Sequence, residues 1–294
     1  MYFKYFFPCL LFFPLLGCGS DSSKTTSTQN INVTFSSLVD GKNINCATIL
    51  TNLGQSKASA SIKDFRFYLS DMTLIGTDKK EYPITLEENE WQTKNVALID
   101  FQDKADECAG EAKLQRLFVN GTVSSAIDFE GIRFAVGLPP DLNHIDIATV
   151  KGPLSVASLY WSWQSGYKFM RLDIAPSGGI TRPSTPTYSA STFNFHLGST
   201  NCSGEPESGE VVTCERVNRP IIELSNYSPA KNTINLNYAA LIDSLNVKLD
   251  EQDSPGCMSG STDPECKAFF KGLGLNLSSG KPDATLTQSV FSVE

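Results

Sequence analysis

From Ile31 onward apolar and polar residues alternate in short runs, the two-residue period of a strand with one face buried. The clearest run is Asp64-Phe65-Arg66-Phe67-Tyr68-Leu69, which puts Phe65, Phe67 and Leu69 on a single face. The same pattern predicts strands over 31–38, 82–87, 95–101, 116–124, 131–138, 167–174, 192–199, 220–227 and 233–241, with a last one closing the chain. Turn-forming clusters punctuate the sequence: Asp40-Gly41, Asn120-Gly121, Pro139-Pro140-Asp141 and Ser177-Gly178-Gly179. Helices are expected only as short pieces, around 153–160, 240–248 and 265–273. No internal repeat is evident, and no break in composition divides residues 31–294. The spacing therefore predicts an all-β fold, an antiparallel sandwich or barrel with long loops and a few short helices.

The N-terminus has a different pattern. Residues 1–17 read MYFKYFFPCLLFFPLLG, one Lys followed by a Phe/Leu run of signal-peptide length. The run is too short to cross a bilayer, and no stretch of about 20 apolar residues occurs elsewhere. It ends in Leu15-Leu16-Gly17-Cys18, which resembles a bacterial lipobox, where cleavage precedes the Cys and the new terminus is acylated. Cys18 is thus the candidate lipidation site, and Gly19 after it favours an outer-membrane destination over inner-membrane retention. More than one acyl chain would make such anchoring stable. The small polar residues 19–30 read as a flexible tether. The expected division is a lipoprotein signal peptide at 1–17, a lipidated Cys and tether at 18–30, and one β-sandwich domain at 31–294. The expected location is the cell envelope, lipid-anchored at the outer membrane.

Export changes the meaning of the cysteines. With Cys9 in the leader and Cys18 acylated, six remain: Cys46, Cys108, Cys202, Cys214, Cys257 and Cys266. An even count in an exported protein predicts three disulfides, a stapled sandwich. Six cysteines allow 15 pairings. Nearness favours Cys202–Cys214 and Cys257–Cys266, leaving Cys46–Cys108, each stabilising by roughly 2–4 kcal/mol on the chain-entropy account. No C-x-x-C pair is present, which argues against a four-cysteine zinc site.

Charge and motifs remove further classes. With 24 Lys+Arg against 32 Asp+Glu the net charge is -8, a field that repels a phosphate backbone, so no nucleic-acid partner is expected. There is no G-x-S-x-G, P-loop, H-E-x-x-H or dinucleotide fingerprint, and an enzyme is not expected. The acidic run 100–111 lacks EF-hand spacing and reads as a solvated loop. Histidine chemistry has two candidates, His144 and His196. Asp146, two residues after His144, is a candidate carboxylate to orient that ring. In a strand His196 shares a face with Asn194, opposite Phe193, Phe195 and Leu197. Between the histidines lie Trp161 and Trp163, which a strand sends to one face as core filling, a ligand platform or an aromatic wall. Arg171 and Asp173 are likewise placed to pair.

Eight segments, in order, are similar to a known family: FRFYLSDMTLI, VALIDFQD with a following Cys, GIRFAVGLPPDLNHID, WSWQSGYKFMRLDI, FNFHLGSTNC, CERVNRP, PGCMSGSTDPEC and the terminal QSVFSVE. Together they resemble the MbnP-like copper-binding family, the four-Cys "metallo-mystery pair" proteins, over nearly all of residues 31–294. The resemblance implies an exported, non-enzymatic β-sandwich encoded beside an MbnH-type di-haem peroxidase-like enzyme. That partner oxidises a Trp of its substrate protein to kynurenine, and copper binding depends on the change. The family's four cysteines fall on Cys202, Cys214, Cys257 and Cys266, and its histidines on His144 and His196. Trp161 and Trp163 are the candidates for modification, since Trp91 lies outside the matched motifs. Imidazole suits copper, and Met170 and Met258 are further soft donors, with packing the plainer role for each. The reading is a lipid-anchored protein that sequesters or delivers copper; the alternative is a surface lipoprotein that binds a glycan or protein through the Trp161/Trp163 face.

Overall fold

The computed structural model describes residues 1–3, 27–39, 41–103, 108, 115–124, 127–162, 164–204, 210 and 212–294. Cys18, the lipobox and Trp163 lie outside them, as does most of the acidic run 100–111. The described chain is mostly strand, with three short α-helices, as the alternation predicts. Two sheets dominate, one of five strands and one of ten.

The larger sheet is organised by one strand, Ala58–Gly76. Its first half pairs antiparallel with Met170–Pro176 on one edge, and with Ile49–Leu53 and then Val96–Asp100 on the other. Its second half pairs with Phe129–Val136 and Glu81–Pro83. The change of partner is made by a bulge. Between Ser70 and Thr73 the strand carries one more residue than its partner does between Ala135 and Arg133, and Asp71 adopts φ 52° there. Such an insertion bends a strand and re-aims its ladder.

The smaller sheet brings together Gln29–Ser36, Phe118–Val123, Thr85–Leu86, Thr233–Leu236 and Phe291–Val293. It packs on the larger one through edge-to-face rings. Phe35 lies 6.0 Å from Phe67 and 6.1 Å from Phe134, and Phe291 lies 5.7 Å and 5.5 Å from the same pair. This is the core that the period-two pattern foretells, with Phe65, Phe67 and Leu69 fully buried.

The opposite face of the long strand is not solvent-facing as simple alternation would have it. Asp64, Arg66, Tyr68 and Ser70 are buried as well. A third layer, the irregular segment 147–169, covers them, and Tyr68 and Tyr167 donate their hydroxyls to the carbonyls of Pro153 and Leu154 (2.7 and 2.6 Å). That segment corrects one expectation. Instead of a helix over 153–160 it makes two 3₁₀ turns, Gly152–Ser155 and Ala157–Leu159, suited to a stretch that must track a sheet rather than stand off it. The other two expected helices form as Tyr238–Ile242, capped by Asn237, and Cys266–Gly272. An unexpected helical turn, Pro140–Asn143, starts on the Pro pair.

All three disulfides pair as nearness favours: Cys46–Cys108, Cys202–Cys214 and Cys257–Cys266. The loop closed by the last buries Asp263 and Glu265 together. Burial, then the hydrogen bond and charge of Glu265, push the Asp263 carboxyl up from its ordinary 3.8 to about 8. The native state thus holds this proton more tightly than the unfolded chain does. Its stabilising contribution is complete below the unfolded value and is lost as pH rises through the folded one. Asp263→Asn keeps an oxygen for the Glu265 N–H (3.1 Å) without the charge. The variant is expected to gain in melting temperature over wild type at about pH 9 and not at about pH 5, read by calorimetry at both.

Candidate metal centre

Four segments meet beside the middle of the long strand, where Arg66 pairs with Arg171 and Arg171 with His196, and each is fixed by its local sequence. Pro139 and Pro140 start the turn that ends at His144, leaving the imidazole half-buried at its C-terminus. Asn143 anchors that turn: its Oδ1 accepts the Tyr167 N–H (2.9 Å), and its Nδ2 reaches Ser199 Oγ (3.4 Å) and His144 Nε2 (3.0 Å). Gly166 makes this possible, because it sits at φ 76° and a Cβ there would lie 2.5 Å from Asn143 Oδ1. Gly166–Tyr167 pairs with Tyr160–Ser162, the ribbon that carries Trp161.

His196 stands on the strand Asn194–Leu197, across from Arg171. Its segment is stitched in place by Ser259, which donates to the His196 carbonyl (2.9 Å) and accepts the Gly198 N–H (3.1 Å). Gly198 also leaves room for the indole, since a Cβ there would meet Trp161 at 2.5 Å. The Trp161 and His196 rings lie 6.5 Å apart.

The polar groups around His196 form a buried network. Its Nε2 contacts both oxygens of Asp173, at 3.0 and 3.1 Å. Asp173 also takes the Arg171 Nε–H (2.7 Å); Arg171 reaches Asp64 (3.0 Å), and Arg66 pairs with Asp64. Burial works to raise the Asp173 carboxyl, but the hydrogen bond and charge of His196, together with Arg171, hold it below the ordinary carboxylate value. Asp173 is therefore an anion that accepts the Nε2–H and sets the ring's tautomer. The other nitrogen, Nδ1, is buried and has no hydrogen-bond partner among the described residues. Burial and then the charge of Arg171 bring the nearby Lys168 ammonium down to about 8.

His144 has a different environment. Its Nε2 lies 3.3 Å from Cys214 Sγ, and His144, Cys202 and Cys214 bring a donor atom each within 4.8 Å of one another. Two clefts open here. One, of about 410 Å³, is lined by Trp161, Cys202 and Met258; the other, of about 440 Å³, by His144, Asn143 and Cys214. Ser199 lines both, and the Cys202–Cys214 disulfide contributes a residue to each.

Two expected supporting residues do other work. Asp146 is exposed and caps the turn Ile147–Thr149 by accepting the Ala148 N–H (2.9 Å), and Asn194 donates to the Pro255 carbonyl (2.9 Å). The groups found on the imidazoles are Asp173 and Asn143. The Arg171–Asp173 pair was visible in their i, i+2 spacing, but that their carboxylate also takes His196 depends on a strand pairing 22 residues or more away in sequence. Met170 is core, whereas Met258 borders the Trp161 cleft.

The described residues thus set a carboxylate-held imidazole near an indole, and a His/Cys/Cys group whose donor atoms could hold a metal ion, on a disulfide-stapled β-sandwich. The MbnP family model matches residues 28–259, and the chain belongs to the MbnP family. The solved structure of MbnP from Methylosinus trichosporium is similar, with a TM-score of 0.83 at 30% sequence identity over 91% of this chain and 98% of that one. No curated protein sequence matches. Family membership supports a copper-related role.

Proposed function

We propose that this is a non-enzymatic copper-binding protein, exported and lipid-anchored through Cys18, that sequesters or delivers copper from the His144/His196 region. One observation carries the reading. His196 gives one nitrogen to a buried carboxylate and keeps the other buried and without a partner among the described residues. A ring nitrogen left so costs the fold free energy unless a ligand takes it, and the carboxylate–histidine arrangement is the one that orients and strengthens a metal-bound imidazole. Copper is the fitting ion for nitrogen donors with a thioether at the rim. His196 and His144 would hold it.

An intact indole offers only an N–H donor. The intact Trp161 indole lies 6.5 Å ring-to-ring from His196, and opened to kynurenine it would present an aryl amine and a carbonyl there. We assign the oxidation to an MbnH-type di-haem partner, with the residue gaining O2 and losing CO overall. Trp161 is the residue proposed for oxidation because its ring lies beside that of His196. Co-expression with such a partner should yield protein with that mass change on the Trp161 peptide and about one copper per chain, the ion proposed to be shared by His144 and His196. Trp161→Phe should lack both. Full copper loading of Trp161→Phe would refute the role of the indole.

A further inference from the structure

The three disulfides differ in access. Cys46, Cys108, Cys257 and Cys266 are all buried. Cys202 and Cys214 are half-buried, and each lines a cleft. They face each other directly across the ladder between Thr200–Ser203 and Thr213–Arg216, flanked by the pairs Thr200↔Arg216 and Ser203↔Thr213. Arg216 ties this ladder to the body of the protein through Thr200 Oγ1 (2.7 Å) and the carbonyls of Ser259 and Leu277 (2.8 and 2.6 Å). The ladder therefore keeps the two sulfurs adjacent whether or not they are bonded to each other. The imidazole is already in place, with Nε2 3.3 Å from Cys214 Sγ. The Asn143 amide N–H points at that same nitrogen, which marks it as the one bearing the lone pair.

Thiolates, not disulfides, are the metal ligands of cysteine. We propose that Cys202–Cys214 is a redox-gated metal site: reduced by a dithiol, its two thiolates join the His144 imidazole as a three-donor NS2 set for a soft d10 cation, Cu(I) or Zn(II). A thiolate of the dithiol attacks one sulfur, the S–S bond breaks and a mixed disulfide forms. The second thiol of the reductant then displaces the protein sulfur. Two electrons and two protons pass to Cys202 and Cys214, and the dithiol leaves as its disulfide. Binding of the cation releases the two thiol protons.

The dimensions suit this. Metal–sulfur bonds of about 2.3 Å and metal–nitrogen bonds of about 2.0–2.1 Å need donors spaced much as these are, all within 4.8 Å of one another. The cleft beside His144 has room for water as a fourth ligand. Sulfur donors favour Cu(I) and Zn over Ca and Mg. This site goes beyond the copper reading above; it shares His144 with that reading but uses neither Trp161 nor His196, so the Trp161→Phe and His196→Ala variants tell the failure of one from the failure of the other.

The test uses the purified Trp161→Phe protein, which cannot form kynurenine at that position. Treatment with dithiothreitol under native conditions should free two thiols, mapped by alkylation to Cys202 and Cys214, with the other four cysteines still bonded. After anaerobic removal of the reductant, Co(II) should bind at about one per chain and give a thiolate-to-cobalt charge-transfer band, which Zn(II) then displaces. Oxidised protein should give no band. His144→Ala, which keeps the disulfide and hence the fold, should weaken Co(II) binding at least about 10-fold, by loss of a ligand, and His196→Ala should not change it. A Cys202→Ser, Cys214→Ser double variant should give no band. The proposal is overturned if all six cysteines reduce together, if the reduced protein binds no Co(II), or if His144→Ala binds it unchanged.

Discussion

Asp173→Asn is expected to weaken copper binding by about 10–100-fold while leaving the protein folded, the usual size of effect for a group that orients a metal-bound imidazole. Asparagine still offers an oxygen to His196 Nε2–H, so the ring keeps its orientation. What is lost is the negative charge that Asp173 retains in the folded protein, which strengthens Nδ1 as a donor. His196→Ala removes the donor itself and should abolish stoichiometric binding. The pair of variants separates the two contributions, and isothermal titration with Cu(I) under a competing chelator reads both. An Asp173→Asn protein with unaltered affinity would show that His196 is held for structural reasons only. Asp173→Ala is the wrong control, because it leaves His196 beside a buried void and takes from Arg171 one of its two carboxylates, with Asp64 remaining; breaking such a buried pair typically costs about 3–5 kcal/mol.

The largest expected effect on stability comes from Phe67→Ala. Phe67 is fully buried at the join between the two sheets, in edge contact with Phe35 and Phe291. Truncation removes the apolar surface and leaves a cavity between the two sheets that the neighbouring rings, held on their own strands, fill only in part. A cost of about 3–5 kcal/mol is expected, read as a lowered midpoint in urea at constant slope. Phe118→Ala, on a half-buried ring at the start of the strand Phe118–Val123, should cost far less. Equal losses at the two positions would mean that the sheets do not share one core.

Phe67 and Asp173 also mark where sequence reading succeeds and where it stops. The inward face of each strand was legible because alternation is a local property. Phe65, Phe67 and Leu69 declare themselves within six residues. The disulfides were legible because near cysteines in an exported chain have few better partners. Asp64, Arg66 and Tyr68 were not, since period two assigns them to solvent, and only the return of the segment 147–169 over the sheet buries them. The site failed in the same way. Nearness in sequence nominated Asp146 for His144 and Asn194 for His196. The fold supplies Asn143 and Asp173 instead, because strand pairing places residue 173 against the 194–197 strand while local turns claim the nearer candidates. Histidine and tryptophan positions were found by scarcity and by family resemblance; their partners were set by topology.

Both the copper reading and the role of Asp173 require one ion to draw on both imidazoles. Anomalous scattering at the copper edge, from crystals of copper-loaded protein made with its oxidising partner, examines that requirement directly. A single peak about 2 Å from His196 Nδ1 and from a nitrogen of His144 is predicted, the ordinary metal–imidazole distance. A copper bound by neither ring, or by one with the other left to protein partners alone, would contradict it.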